Sequence, residues 1–182
     1  MESILTIKEF NVRRFICLAS LLLLATVFVS AQDYPKAEVF GGYQYTHLEG
    51  GVNANGWNAA VTGNLNHWFG VTGDFSGAYA TVDGVSIRNY TYTFGPTVSL
   101  RANHGFTPFA HALFGGAHVT GSLGDVSASD SGFATLIGGG VDVNASKNIS
   151  IRAAQFDWVM LHSNGDTSSK NVRLSFGVVF HP

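Results

Sequence analysis

From Gln32 onward, apolar and polar residues alternate in eight segments, and the connections between them are alternately long and short. Successive side chains of a strand point to opposite faces, so this period of two marks strands with two unlike surfaces. The pattern predicts strands at about 37–47, 56–66, 68–80, 88–101, 106–120, 131–145, 149–162 and 170–181. Most are close to the roughly 9–11 residues that a tilted strand needs to cross a bilayer. The connections 48–55, 81–85, 121–130 and 163–167 form the longer set and are rich in Gly, Asn, Asp and Ser. Those at Asn66-His67, 102–105 and 146–148 are short. A sheet in lipid must close on itself, with an even number of strands, tight turns on one rim and longer loops on the other. The expected fold class is therefore all-β: an eight-stranded antiparallel up-and-down transmembrane β-barrel.

Four strands show the two faces most clearly. In the second, Trp57, Val61 and Leu65 oppose Asn58, Thr62 and Asn64. In the third, Phe69, Val71, Phe75 and Tyr79 oppose Thr72, Asp74 and Ser76. The fourth sets Tyr90, Tyr92, Phe94, Val98 and Leu100 against Thr91, Thr93, Thr97, Ser99 and Arg101. In the last, Val172, Leu174, Phe176, Val178 and Phe180 oppose Asn171, Arg173 and Ser175. Periodicity does not say which face turns inward: a soluble barrel encloses its apolar face, a membrane barrel its polar one. Aromatics near strand ends favour the membrane. Tyr45, Trp57, Tyr79, Tyr90, Phe133 and Trp158 fall on the long-loop side, and Phe69, Phe106 and Phe180 on the short-turn side, as two interfacial girdles would. The opposite face, rich in Thr, Ser, Asn and Gly, makes a poor dry core.

Some segments fit less well. The fifth, Phe106 to Phe114, has no clean phase. In the seventh, Arg152 and Asp157 have opposite parity, which suggests a bulge between them. Pro96 and Pro108 each remove a ladder donor and point to bulges or rim positions. The Gly138-Gly139-Gly140 run lacks the following Lys-Ser/Thr of a phosphate loop and suits a tightly curved strand instead.

The first residues change the cellular picture. Lys8, Arg13 and Arg14 precede the apolar stretch Ile16 to Val29 and then Val29-Ser30-Ala31, the three parts of a signal peptide. The apolar stretch is shorter than the roughly 20 residues of a spanning helix. A signal peptide over 1–31 and a barrel domain over 32–182 are expected. The single cysteine, Cys17, lies in the leader, leaving the mature region without a disulfide, thiol nucleophile or thiolate metal site. A formal charge of −2 without a basic cluster argues against nucleic-acid binding. Only 12% of residues are charged, about half the usual share for soluble domains, which suits a surface facing lipid.

The chain resembles the OmpA-like, porin-type outer-membrane β-barrel domain family of Gram-negative bacteria. The likeness spans the mature region and rests on three segments. They are Val39-Phe40-Gly41-Gly42-Tyr43-Gln44-Tyr45, Trp68-Phe69-Gly70-Val71-Thr72-Gly73-Asp74-Phe75-Ser76-Gly77 and Arg173-Leu174-Ser175-Phe176-Gly177-Val178-Val179-Phe180. The resemblance implies location in the bacterial outer membrane, with membrane lipid as partner and periplasmic chaperones and the barrel-assembly machinery during biogenesis. It also implies a C-terminal assembly signal carried by Phe176, Gly177 and Phe180. Family members usually end on the aromatic, whereas here His181 and Pro182 follow.

The inward set comprises Glu38, Asp74, Asp142, Arg101, Arg152 and Arg173. An eight-stranded barrel is just wide enough inside for side chains to fill it. These six groups either satisfy one another and hold the barrel rigid, or form a plug that re-pairs to open. His111 and His118 are seven apart, on opposite faces, and His47 with His162 lacks further ligands, so no metal or other cofactor is expected. No Ser-His-acid spacing stands out. The leading reading is a non-enzymatic outer-membrane barrel with a filled lumen, structural or surface-interacting through its outer loops. The alternatives are a small-solute pore, a lipid-modifying barrel enzyme and a soluble periplasmic barrel.

Overall fold

The computed structural model describes residues 34–182, apart from positions 83, 103, 104, 125 and 164. The expected signal peptide lies outside the described residues. Eight strands follow one another: β1 (Ala37–Leu48), β2 (Val52–Asn64), β3 (Phe69–Val82), β4 (Val85–Ser99), β5 (Phe106–Leu123), β6 (Val126–Asn144), β7 (Ile149–Ser163) and β8 (Asp166–Phe180). Each pairs antiparallel with the next, and β8 pairs with β1 from Val39↔Phe180 to His47↔Val172, closing the barrel.

The apolar face is outside. Val61, Phe75, Val98 and Leu174 are 53%, 54%, 43% and 44% exposed, whereas Thr72 and Arg173 are 4% and 2% exposed. A soluble barrel with this sequence would show the reverse. On β3 the outward aromatics Phe69 and Tyr79 lie ten positions apart, the span that a tilted strand needs to cross a bilayer.

The long loops expected from composition are not loops. The ladders run to Leu48↔Val52, Val82↔Val85, Leu123↔Val126 and Ser163↔Asp166, so the strands continue nearly to the tips. Gly50, Gly51, Gly84, Gly124 and Gly165 sit at these tips with φ between 58° and 94°, the left-handed backbone of tight hairpin turns. The segment 121–130, read as the longest loop, is the end of a hairpin with strands of 18 and 19 residues. Its Ser and Ala residues suit a two-sided strand as well as a loop, and composition alone did not separate the two. The rims still differ, but through strand projection rather than loop length.

The projecting part has its own pattern. Below Tyr79 and Tyr90, apolar side chains face out and polar ones face in. Above them, with no register shift on β3 to β6, the phase carries Val85, Ile87, Val119, Leu123 and Val126 inward and Ser86, Arg88, His118, Thr120 and Ser129 outward. A polar outer face belongs in water, so the inversion marks where the wall leaves the hydrocarbon.

The ill-fitting segments have local causes. β5 keeps a single phase, but Phe109 and Leu113 face the lumen, which hides the alternation. On β7, Ala153 is an extra residue: Val141 pairs with Ala154 and Asp142 with Arg152. The bulge turns both Arg152 and Asp157 inward. Pro96 and Pro108 sit near the short-turn rim without a register shift between β4 and β5.

Candidate functional site in the barrel lumen

The lumen holds a connected set of charged side chains at mid-height, capped towards the projecting rim by an apolar cluster. Strand alternation delivers Asp74 from β3, Asp157 from β7 and Arg173 from β8 to one point. The Arg173 guanidinium spans them, with Nη1 and Nη2 donating to the two Asp74 oxygens at 2.8 and 3.1 Å and Nε donating to Asp157 Oδ2 at 2.8 Å. All three are essentially inaccessible to solvent. Asn58 Nδ2 donates to Asp74 Oδ2 at 2.9 Å, and Gln155 Nε2 to Asp157 Oδ2 at 2.8 Å. His111 Nε2 lies 2.7 Å from Asp157 Oδ1. A planar fork between two carboxylates uses the geometry peculiar to arginine.

Gln155 joins this centre to a second pair. Arg152 donates to Gln155 Oε1 at 2.7 Å and clasps Asp142 through Nε and Nη2 at 2.8 and 3.0 Å. Its guanidinium carbon lies 4.3 Å from the Phe40 ring centre and 4.2 Å from that of Phe109, a cation held between two aromatic faces. The third pair is at the short-turn mouth. Arg101 Nη2 meets Glu38 Oε1 at 2.5 Å, and Asn64 Nδ2 donates to the same oxygen at 2.8 Å.

Glycine makes room for this set. A Cβ on Gly138 would lie 2.2 Å from Asp157 Oδ1, and one on Gly140 would lie 2.9 Å from Phe109 Cζ. Two members of the triple-glycine run thus vacate the volume occupied by a carboxylate and by the ring beneath Arg152. Above the charges, Leu113, Ala117, Ala134, Leu136 and Val159 form a dry cluster. One small cavity is lined by Arg173, Gln44, Thr46 and Asn89 and a second by Asp74, His111, Arg152 and Gln155; Gln44 Oε1, Thr46 Oγ1 and Asn89 Oδ1 beside the first have no protein partner. The first is polar and large enough for a single water molecule, which needs about 10–15 Å³.

All six charged residues read from the sequence line the lumen, where they form three acid–base pairs: Arg173–Asp74, Arg152–Asp142 and Arg101–Glu38. Asp157 and His111 stand outside the inward set read from the sequence: the bulge expected between Arg152 and Asp157 had no fixed position there, and the apolar inward residues of β5 concealed the phase of His111. The small Ala153-Ala154 pair was the available signal. The nine girdle aromatics face outward. On the projecting side Trp57 Nε1 donates to Tyr79 Oη at 3.2 Å and Tyr79 Oη to Tyr90 Oη at 3.3 Å. Trp158 Nε1 donates to the Ser169 carbonyl.

At the other end Phe176 and Phe180 face outward and Gly177 packs against the Gly41 backbone. His181 extends the closing strand: its N–H donates to the Asn148 carbonyl at 2.8 Å, and Nε2 lies 2.9 Å from Ser150 Oγ. Burial in the mouth pushes the His181 ring below the usual histidine range, against the opposing pull of Glu38 and Asp142. Nδ1 has no partner, so this Ser-His pair lacks the orienting acid of a triad. His47 and His162 both sit at the projecting rim, and among the described residues no three His, Cys, Asp or Glu side chains gather as a metal site.

Closed strands, an apolar exterior of bilayer height and an enclosed polar lumen define an integral membrane β-barrel of the outer-membrane type. Residues 16–180 match the family model described as the outer membrane protein beta-barrel domain, and the chain belongs to that family. It is a protein of the bacterial outer membrane. Among solved structures it is similar to Ail, the attachment invasion locus protein of Yersinia pestis, at 18% identity and TM-score 0.56, covering 80% of this chain and 97% of that one. Neisserial surface protein A matches at 11% identity and TM-score 0.63, covering 80% and 96% of the two chains. The N-terminal barrel domain of Pseudomonas aeruginosa OprF matches at 12% identity and TM-score 0.58, covering 80% and 97%. At these identities the likeness carries the fold alone. No curated protein sequence matches the chain.

Proposed function

We propose that the protein is a non-enzymatic envelope barrel with a closed lumen, serving outer-membrane integrity and, through its projecting hairpins, contact with outside surfaces. The observation that carries this reading is the Arg173 fork. It bridges β8 to β3 and β7 across the bore, with Asp74 and Asp157 both hydrogen-bonded further, and the Leu113–Leu136 cluster lies above it. A lumen filled in this way braces the wall and blocks solute passage at the same level. The bridge thus forms a septum across the lumen.

Single-channel recording in planar bilayers tests the reading. The wild-type protein gives no reproducible conductance steps, whereas Arg173→Ala, which removes the septum, gives frequent small ones. Frequent steps in the wild type would instead assign a small-solute pore.

A further inference from the structure

Past Phe180 the chain continues with His181, and strand alternation gives that residue a place at the short-turn mouth. On β8 Arg173, Ser175 and Val179 face the lumen, so His181 is the next inward position. Its backbone is held by Asn148, whose carbonyl accepts the His181 N–H and whose Nδ2 donates to the His181 carbonyl, both at 2.8 Å. The ring turns into the mouth, half-buried, with Nε2 2.9 Å from Oγ of the buried Ser150. The charged groups facing it are Glu38 from β1, Arg101 beyond β4, Asp142 from β6 and Arg152 from β7. They pair off as Arg101–Glu38 and Arg152–Asp142, so neither sign is left over for the ring.

The hydrogen bonds fix the state of the ring. Ser150 Oγ donates to Asn144 Oδ1 at 2.8 Å, so it accepts from His181, and the ring proton sits on Nε2. Nδ1 is then a bare acceptor, buried and without a partner. A second proton would go there and create a buried donor with no acceptor, which is unfavourable. Burial accordingly holds the ring below the ordinary histidine range, while the pulls of the two acids and the two arginines oppose one another. A ring that binds protons more weakly when seated than when free leaves its seat as acid is added. The seat is fully stable above the ordinary histidine value of about 6.5 and is lost as pH falls below it.

Behind the ring lies the second cavity. It reaches from Glu38 and Arg152, which face His181, to Asp74 of the Arg173 fork. We propose that His181 is an acid-responsive latch on the short-turn mouth: neutral, its ring closes this cavity, and protonated, it swings out and admits periplasmic water. The latch is separate from the septum, and the lumen stays closed at Arg173 in both states.

Cysteine accessibility tests the latch in the barrel folded in detergent micelles. Cys17 is the chain's single cysteine, so the barrel has none of its own. Ser99→Cys, in the second cavity, is the reporter. Its labelling by a dithiodipyridine reagent is read against an exposed Ser129→Cys at about pH 8 and about pH 5, either side of the ordinary histidine value. Ser99→Cys is expected to be protected at the higher pH and to lose that protection at the lower. His181→Ala loses it at both, and His181→Phe, a ring that cannot protonate, keeps it at both, with heat-modifiable gel migration unchanged in each. Thr46→Cys, beside the cavity lined by Arg173, keeps its labelling rate throughout. Acid-induced labelling that survives His181→Phe would overturn the latch by assigning the response to another group, such as His111. A parallel rise at Thr46→Cys would also overturn it, by placing the opening at the septum. Unprotected Ser99→Cys at the higher pH would show that the ring closes nothing.

Discussion

Arg173→Ala is expected to destabilise the barrel by about 3–5 kcal/mol, the largest single-residue effect in the lumen, because it strands two buried carboxylates. Asp74 and Asp157 would keep only Asn58, Gln155 and His111 as partners, and none of these supplies the bidentate cation that balances both. Arg173→Lys recovers only part of the loss, since one ammonium cannot present a planar fork to two acids. The companion change separates stored charge from lost packing. With Asp74→Asn and Asp157→Asn added to Arg173→Met, the site carries no unpaired ion and most of the stability returns. Urea titration of folding into lipid vesicles measures the series. If the triple variant is as unstable as Arg173→Ala, the fork is valuable as packing and not as ion pairing.

The second large effect is on the outer wall. Val61 faces lipid near mid-height, in register with Val39 on β1 and Gly73 on β3. Val61→Arg is expected to cost about 2–4 kcal/mol, as a guanidinium at the bilayer midplane does. Ser129→Arg, outward but above the phase inversion, is expected to cost about 0–1 kcal/mol on the same scale. The same titration compares them. Equal costs would mean that depth in the bilayer does not govern this surface, contrary to the placement of the girdles.

Much of this architecture was legible in the chain. Alternation in Trp57–Leu65, Phe69–Tyr79, Tyr90–Leu100 and Val172–Phe180 found the strands whose two faces differ sharply, and with them Asp74 and Arg173. It was weakest where the lumen itself is apolar. Phe109, Leu113, Leu136 and Val159 face inward, so their strands carry apolar side chains on both sides and lose the period of two. The bulge expected between Arg152 and Asp157 lies at Ala153 and shifts parity by one residue; without its exact position the sequence did not add to the inward set Asp157, whose carboxylate bonds Arg173, Gln155 and His111. The hairpin tips were misread for a related reason. Ser, Gly and Asp along 121–130 match loop composition, yet outside the membrane a strand can place serines outward and Val119, Leu123 and Val126 inward. Hydropathy read with one fixed sense for each strand misses a reversal partway up.

The central claim is that greasy side chains touch acyl chains while the polar set is enclosed. Nitroxide labels on single cysteines at Val61, Phe75, Val98 and Leu174, in intact vesicles, test it by power saturation with oxygen against a water-soluble nickel chelate. All four labels should respond strongly to oxygen and weakly to nickel, and a label at Ser129 should show the opposite order. Nickel dominating at the four wall positions would contradict the account and place those side chains against water.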